Sequence, residues 1–148
     1  MAIAVGTGGF NTGRDASITL IGPYGRVDLE NITSFQSAQK TAMVNIDTIE
    51  GEQMNAELPK GWTGSLSLER GSPALDALIS QVEQDWLVNG NYLTGTLYLY
   101  VTELPGTAQS TFEYTGLTMK LSNAGTYKSD STVPMTLDFT ATTRNKIT

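Results

Sequence analysis

The feature that most limits what this chain can fold into is a period of two. Val133, Met135, Leu137, Phe139 and Ala141 alternate with Pro134, Thr136, Asp138 and Thr140. Only an extended strand turns that spacing into one apolar and one polar face. The same alternation sets Ile18 and Leu20 against Ser17 and Thr19, Leu66 and Leu68 against Ser65, Ser67 and Glu69, and Leu117, Met119 and Leu121 against Thr118, Lys120 and Ser122. Each run reads as a half-buried strand. Pro134 has no N–H to give a ladder, which predicts that its strand begins at an edge or a bulge. Gly125 suits a turn with positive φ, so Lys120 to Arg144 reads as a strand, a turn, a short polar connection and a long strand.

GTLYLYV departs from the polar-out rule. Leu97, Leu99 and Val101 take one face and Tyr98 and Tyr100 the other, so the strand is apolar or aromatic on both. Two coverings fit: the helix on one side and a second sheet on the other, or another copy of the chain.

RGSPALDALISQVEQDWLVNG breaks the period. Ser72 is a good N-cap, Pro73 suits the first helical position, and Asn89-Gly90 tolerate the left-handed conformation that ends helices. Leu75, Leu78, Ile79, Val82 and Trp86 fall on one stripe, predicting an amphipathic helix over about 73–88 whose core face they form. The expected fold is mainly β (α+β), with two packed antiparallel β-sheets forming a sandwich or partial barrel and one flanking α-helix. At 148 residues the chain fits one domain, and a domain of that size buries roughly 68–70 % of its unfolded surface. Residues 15–148 are assigned to it and 1–14 to a flexible glycine-rich arm.

Histidine and cysteine are both absent. That removes disulfides, thiolate zinc sites, the usual general base near neutral pH and the Ser-His and Cys-His dyads. The densest acidic cluster, Asp47, Glu50 and Glu52, does not match a calcium-loop spacing and reads as a solvated loop. GTGGFNTG lacks the preceding strand, the following helix and the Lys-Ser or Lys-Thr pair of a phosphate loop. No catalytic, metal or cofactor-binding residue is assigned, and no cofactor is expected. Nine Lys plus Arg against 15 Asp plus Glu give a net charge of −6, which opposes binding to a phosphate backbone. The N-terminus has no basic residue before its short apolar piece and no run approaches a membrane span, so no membrane anchor and synthesis in a cytoplasm are expected.

Two segments have no place in the strand pattern. The arm carries Ile3, Val5 and Phe10, apolar anchors that a solvated tail does not need. Gln36 to Pro59, with Lys40, Asp47, Glu50, Glu52 and Glu57, reads as a long loop, and long connections in compact domains are usually functional or disordered. Trp62 in LPKGWTG reads as a core or loop anchor, with a sugar-stacking platform together with Tyr98 or Tyr100 as the alternative.

Taken in order, LPKGWTGSLSLERGSPALDALISQVEQDW and FEYTGLTMKLSNAGTYKSDSTVPMTLDFTATTR resemble the tail tube proteins of long-tailed bacteriophages over roughly residues 15–145. The resemblance implies a virion structural protein of the tail, assembled from itself into hexameric rings that stack into a tube for genome ejection. DNA would pass through without specific binding. It also implies neighbours in the particle: a sheath if the tail contracts, a tape measure protein, and baseplate and terminator proteins. On the same resemblance the arm and the loop named above become candidate contacts between rings, and Tyr98 and Tyr100 a candidate strand face between subunits. The tube of type VI secretion or a related injection machine shares the fold and is the alternative; a sugar-binding β-sandwich is the alternative from another class.

Overall fold

The structure, a computed structural model, describes residues 16–27, 29, 31–103 and 108–147. The arm, with Ile3, Val5 and Phe10, lies outside the described residues. Among these residues, eight strands and one helix follow one another: β1 (Ala16–Gly22), β2 (Gly25–Val27), β3 (Ile32–Asp47), β4 (Gln53–Glu69), α1 (Ala74–Asn89), β5 (Gly95–Thr102), β6 (Gln109–Asn123), β7 (Pro134–Ala141) and β8 (Thr143–Lys146). The mainly β class with one helix is as the alternation predicted.

The two expected layers are halves of one antiparallel sheet, in the order β2-β1-β5-β6-β7-β4-β3. The reason lies in β6, which is long enough to serve both. On one side Gln109 to Leu117 pair with β5, from Thr102 back to Gly95. On the other, Phe112 to Thr115 pair with β8 and Thr118 to Asn123 with β7. Between these two ladders sits Gly116, with φ of 61°. A strand residue there must be left-handed, which only glycine adopts without strain. The β5 register slips at the same point, where Gly95 faces Leu117 but Leu97 faces Tyr114, the mark of a bulge that bends a strand. The sheet therefore folds over on itself without closing into a barrel.

Between the halves lies a single core. Leu20, Leu97 and Leu99 come from one half, Leu66, Leu68, Met135, Leu137, Phe139 and Ala141 from the other, and Tyr114 and Leu117 from β6. Leu75 and Leu78 of α1 complete it. The helix packs against β2 and β6, with Leu78 Cδ1 seated where a Cβ on Gly22 would stand, 2.7 Å away. It starts one residue later than expected: Pro73 occupies the cap position and Ser72 Oγ accepts from the Ala74 N–H at 3.3 Å. Gly90, at φ 70°, ends it, its N–H bonded to the Trp86 carbonyl at 3.0 Å. Pro134 is the first residue of β7, opposite Glu69, and Gly125 has φ 130° in the connection before it.

Candidate assembly surface

β3 and β4 form a hairpin that outruns the sheet, so the loop expected from Gln36 to Pro59 is corrected to strand. β7 reaches along β4 only from Glu69 to Trp62, and every residue from Gly51 to Lys60 is exposed. Past that point the hairpin is a two-stranded ribbon. Lys40 lies in β3 opposite Gly61, Glu57 in β4 opposite Met43, and Asp47 ends β3 opposite Gln53. Glu50 and Glu52 sit in the tip, where the Thr48 N–H donates to the Glu52 carbonyl at 2.8 Å and the Glu52 N–H to Thr48 Oγ1 at 3.1 Å. Thr41 Oγ1 donates to Glu57 Oε2.

The ribbon is amphipathic in the wrong sense for its own core. Near the body, Phe35, Ser37 and Gln39 face inward with Leu66, Gly64 and Trp62. Beyond a register shift between Lys40 and Thr41, the positions in line with these become mostly polar, pairing Met43 with Glu57, Asn45 with Asn55 and Asp47 with Gln53. The outward positions become apolar, pairing Ala42 with Leu58, Val44 with Ala56 and Ile46 with Met54. Ile46 and Met54 are 54 % and 58 % exposed, and Ile49 at the tip fully so. Lys40, Asp47, Glu50, Glu52 and Glu57 interrupt the strand-like pieces in the sequence, which is why the segment reads as a loop; in the hairpin they fall at exposed positions of two long paired strands and their tip.

At the base of the ribbon the packing is dense. Tyr114 is fully buried, stacked edge-on against Phe35, Trp62 and Phe139 at centroid distances of 6.1, 6.4 and 5.7 Å. Its hydroxyl accepts from Arg144 Nε at 2.9 Å and lies 2.8 Å from Ser37 Oγ. The Arg144 guanidinium in turn lies over Phe112 at 3.8 Å and Trp62 at 5.0 Å. Trp62 is thus engaged as an anchor at the ribbon's base, between Tyr114 and Arg144.

The remaining predicted residues scatter. Of the helix stripe, Leu75 and Leu78 are buried and Ile79 and Val82 half-buried, but Trp86 is 57 % exposed, a correction to the expectation that it faces the core. Trp86 is the last residue of the stripe, four residues before Gly90 ends the helix. What remains is an open groove of 580 Å³ lined by Ile79, Val82, Glu83, Trp86, Tyr92 and Met119. Leu87, Val88 and Leu93 beside it are also exposed. Tyr98 and Tyr100 lie on the face of β5 opposite Leu97 and Leu99, half-buried and stacked on each other at 6.3 Å and 19°. Tyr98 Oη donates to Glu113 Oε2 at 2.8 Å. That hydrogen bond, with burial and the Glu113 charge behind it, raises the Tyr98 pKa above 10.0. Among the described residues no group of three or more acidic side chains is arranged to hold a metal ion.

No family model matches the sequence. No curated protein matches it significantly. The fold, however, has solved counterparts. The chain is similar over 99 % of its length to a chain of the sheath-tube complex of an extracellular contractile injection system in the extended state, covering 97 % of that chain with a TM-score of 0.65 at 8 % identity. A chain from the tube-terminating cap of the anti-feeding prophage matches with a TM-score of 0.60 at 11 % identity, over 88 % of this chain and 87 % of that one. The SPP1 tail tube matches with a TM-score of 0.56 at 10 % identity, over 91 % and 77 %. At these identities the shared property is the fold, and it is the fold of tail tube and injection-system tube structures.

Proposed function

We propose that this chain is the structural subunit of a phage tail tube, assembling with copies of itself into hexameric rings that stack into a hollow conduit. The observation that carries this reading is the unclosed sheet. β3 stands at its end with sixteen residues and no strand beyond it among those described, and the ribbon's apolar side faces away from the core. A lone copy leaves both in water, whereas copies arranged edge to edge cover them. The fold shared with tube structures supports the same reading. So does the chemistry, since the chain carries no histidine or cysteine and its role needs none.

On this reading the particle supplies the partners: a sheath if the tail contracts, a tape measure protein, and baseplate and terminator proteins. The protein is made in the host cytoplasm and ends in the virion tail. A net charge of −6 per copy lets DNA pass without adhering. The arm, through Ile3, Val5 and Phe10, and the ribbon with Lys40, Asp47, Glu50, Glu52 and Glu57 contact the next ring, while Tyr98 and Tyr100 face a neighbour within one. A contractile injection particle is the second reading, favoured by the likeness to the sheath-tube complex. Negative-stain microscopy of the purified protein tests the assembly: six-fold rings or tubes are expected, and a chain that sediments as a monomer at every concentration and salt overturns it.

A further inference from the structure

We infer that, in the unassembled chain, Phe10 of the arm seats in a cleft of that same chain, at the mouth where the curled sheet stays open. The inference goes beyond the tube reading and holds for a single copy. The cleft has a volume of 310 Å³ and lies between residues 16–18 of β1, residues 32–35 of β3, and Leu99 and Val101 of β5. β3 is the last strand of the sheet, and β1 pairs with β2 only from Leu20 to Gly22. Among the described residues β1 and β3 therefore face each other across the cleft with no ladder between them. Ile18, Ile32, Phe35 and Val101 pack on the core yet stay only half-buried. One apolar side chain set among them takes all four further out of water.

The occupant is the chain's own arm because of where that arm begins. Ala16, the first described residue, is itself part of the cleft wall, so the chain before it leaves from the rim. Phe10 stands six residues earlier and is the one aromatic residue in the first fifteen. Six residues reach at most about 20 Å, and Gly13 between them lets the chain turn back. The groove at Trp86 lies toward the opposite end of β1, where Gly22 packs on Leu78 of α1, so Phe10 meets the cleft first. A short tether also holds its end at an effective concentration of about millimolar, far above that of a second copy in dilute solution. The cleft therefore takes Phe10 before any ring exists. An arm that joins the next ring must first leave it, so cleft and neighbour compete for one side chain.

The absence of cysteine makes the contact directly readable. A chain carrying Asn11→Cys, beside Phe10, and Ser34→Cys, on the cleft wall, is kept dilute and treated with a short bis-maleimide. A linked monomer is expected, at a rate that does not change with protein concentration. Adding Phe10→Ala should slow that link about tenfold, because the tether remains but the apolar anchor is gone. Without the cysteines, Phe10→Ala should lower the folding equilibrium constant in urea about tenfold, and Val5→Ala should leave it unchanged. Equal linking rates with and without Phe10, or a urea midpoint that Phe10→Ala does not move, overturn the inference. Linked dimers from a mixture of the two single-cysteine chains, with no linked monomer from the double variant, place the arm on a neighbouring copy and overturn it as well.

Discussion

Tyr114 shows what a single residue contributes to this fold. It joins β3 through Ser37, β4 through Trp62, β7 through Phe139 and β8 through Arg144, so four strands meet at one buried ring and one hydroxyl. Removing the hydroxyl leaves the ring packing intact but deprives Arg144 and Ser37 of their partner. Tyr114→Phe should therefore lower stability by about 1–2 kcal/mol, seen as an earlier urea midpoint with an unchanged slope. Tyr98 gives a second residue-scale test. Its neutral form is favoured in the folded state, so its contribution is whole below the unfolded pKa of 10.0 and is lost as pH rises through the higher folded value. Glu113→Ala removes both the hydrogen-bond acceptor and the charge that raise it, so tyrosinate absorbance should then rise at lower pH than in the wild type. Neither partnership was legible in the sequence. Tyr114 sits in FEYTG two positions from an equally apolar-looking Phe112, and which of the two is fully buried depends on β3 and β4, both distant in the sequence.

At the scale of elements, legibility followed the environment. β7 and the core ends of β4 and β6 were readable because each has the core on one side throughout. Both ends of α1 were readable to within a residue from Pro73 and Asn89-Gly90, but not that Trp86, the last residue of the stripe from Leu75, is more than half exposed. Leu78→Ala should cost about 2–5 kcal/mol by opening a cavity against Gly22, whereas Trp86→Ala should change the monomer's melting by less than about 0.5 kcal/mol. Equal losses would put the Trp86 ring back in the core. Gly116 was the quieter signal, a glycine inside a strand, which often marks a bulge. At φ 61° a Cβ there would also collide with Thr142 Oγ1. Gly116→Ala should destabilise by about 1–3 kcal/mol in chemical denaturation, and adding Thr142→Ala should return part of it by removing that oxygen. An unchanged midpoint in the single variant would mean that β6 bends by other means.

For the whole molecule, the sheet's curl could not be read from the sequence, because nothing in β6 alone tells that its two ends pair with different partners. What the sequence does state at this scale is charge. Each copy carries −6, and the helix that borders the groove is acidic without a basic residue. Bringing like-charged copies together opposes assembly, while burial of the ribbon's apolar side chains favours it. Salt separates the two. The screening length falls from about 30 Å at 0.01 M to about 8 Å at 0.15 M, which weakens repulsion between copies and leaves the apolar term in place. Raising the salt from 0.01 to 0.15 M should therefore lower the protein concentration at which rings or tubes appear by about an order of magnitude, since 1.4 kcal/mol of relieved repulsion per contact is tenfold. Sedimentation across a salt series reads this directly. An assembly that instead dissolves as salt rises would be held by ion pairs, and the apolar ribbon would then not be its principal contact.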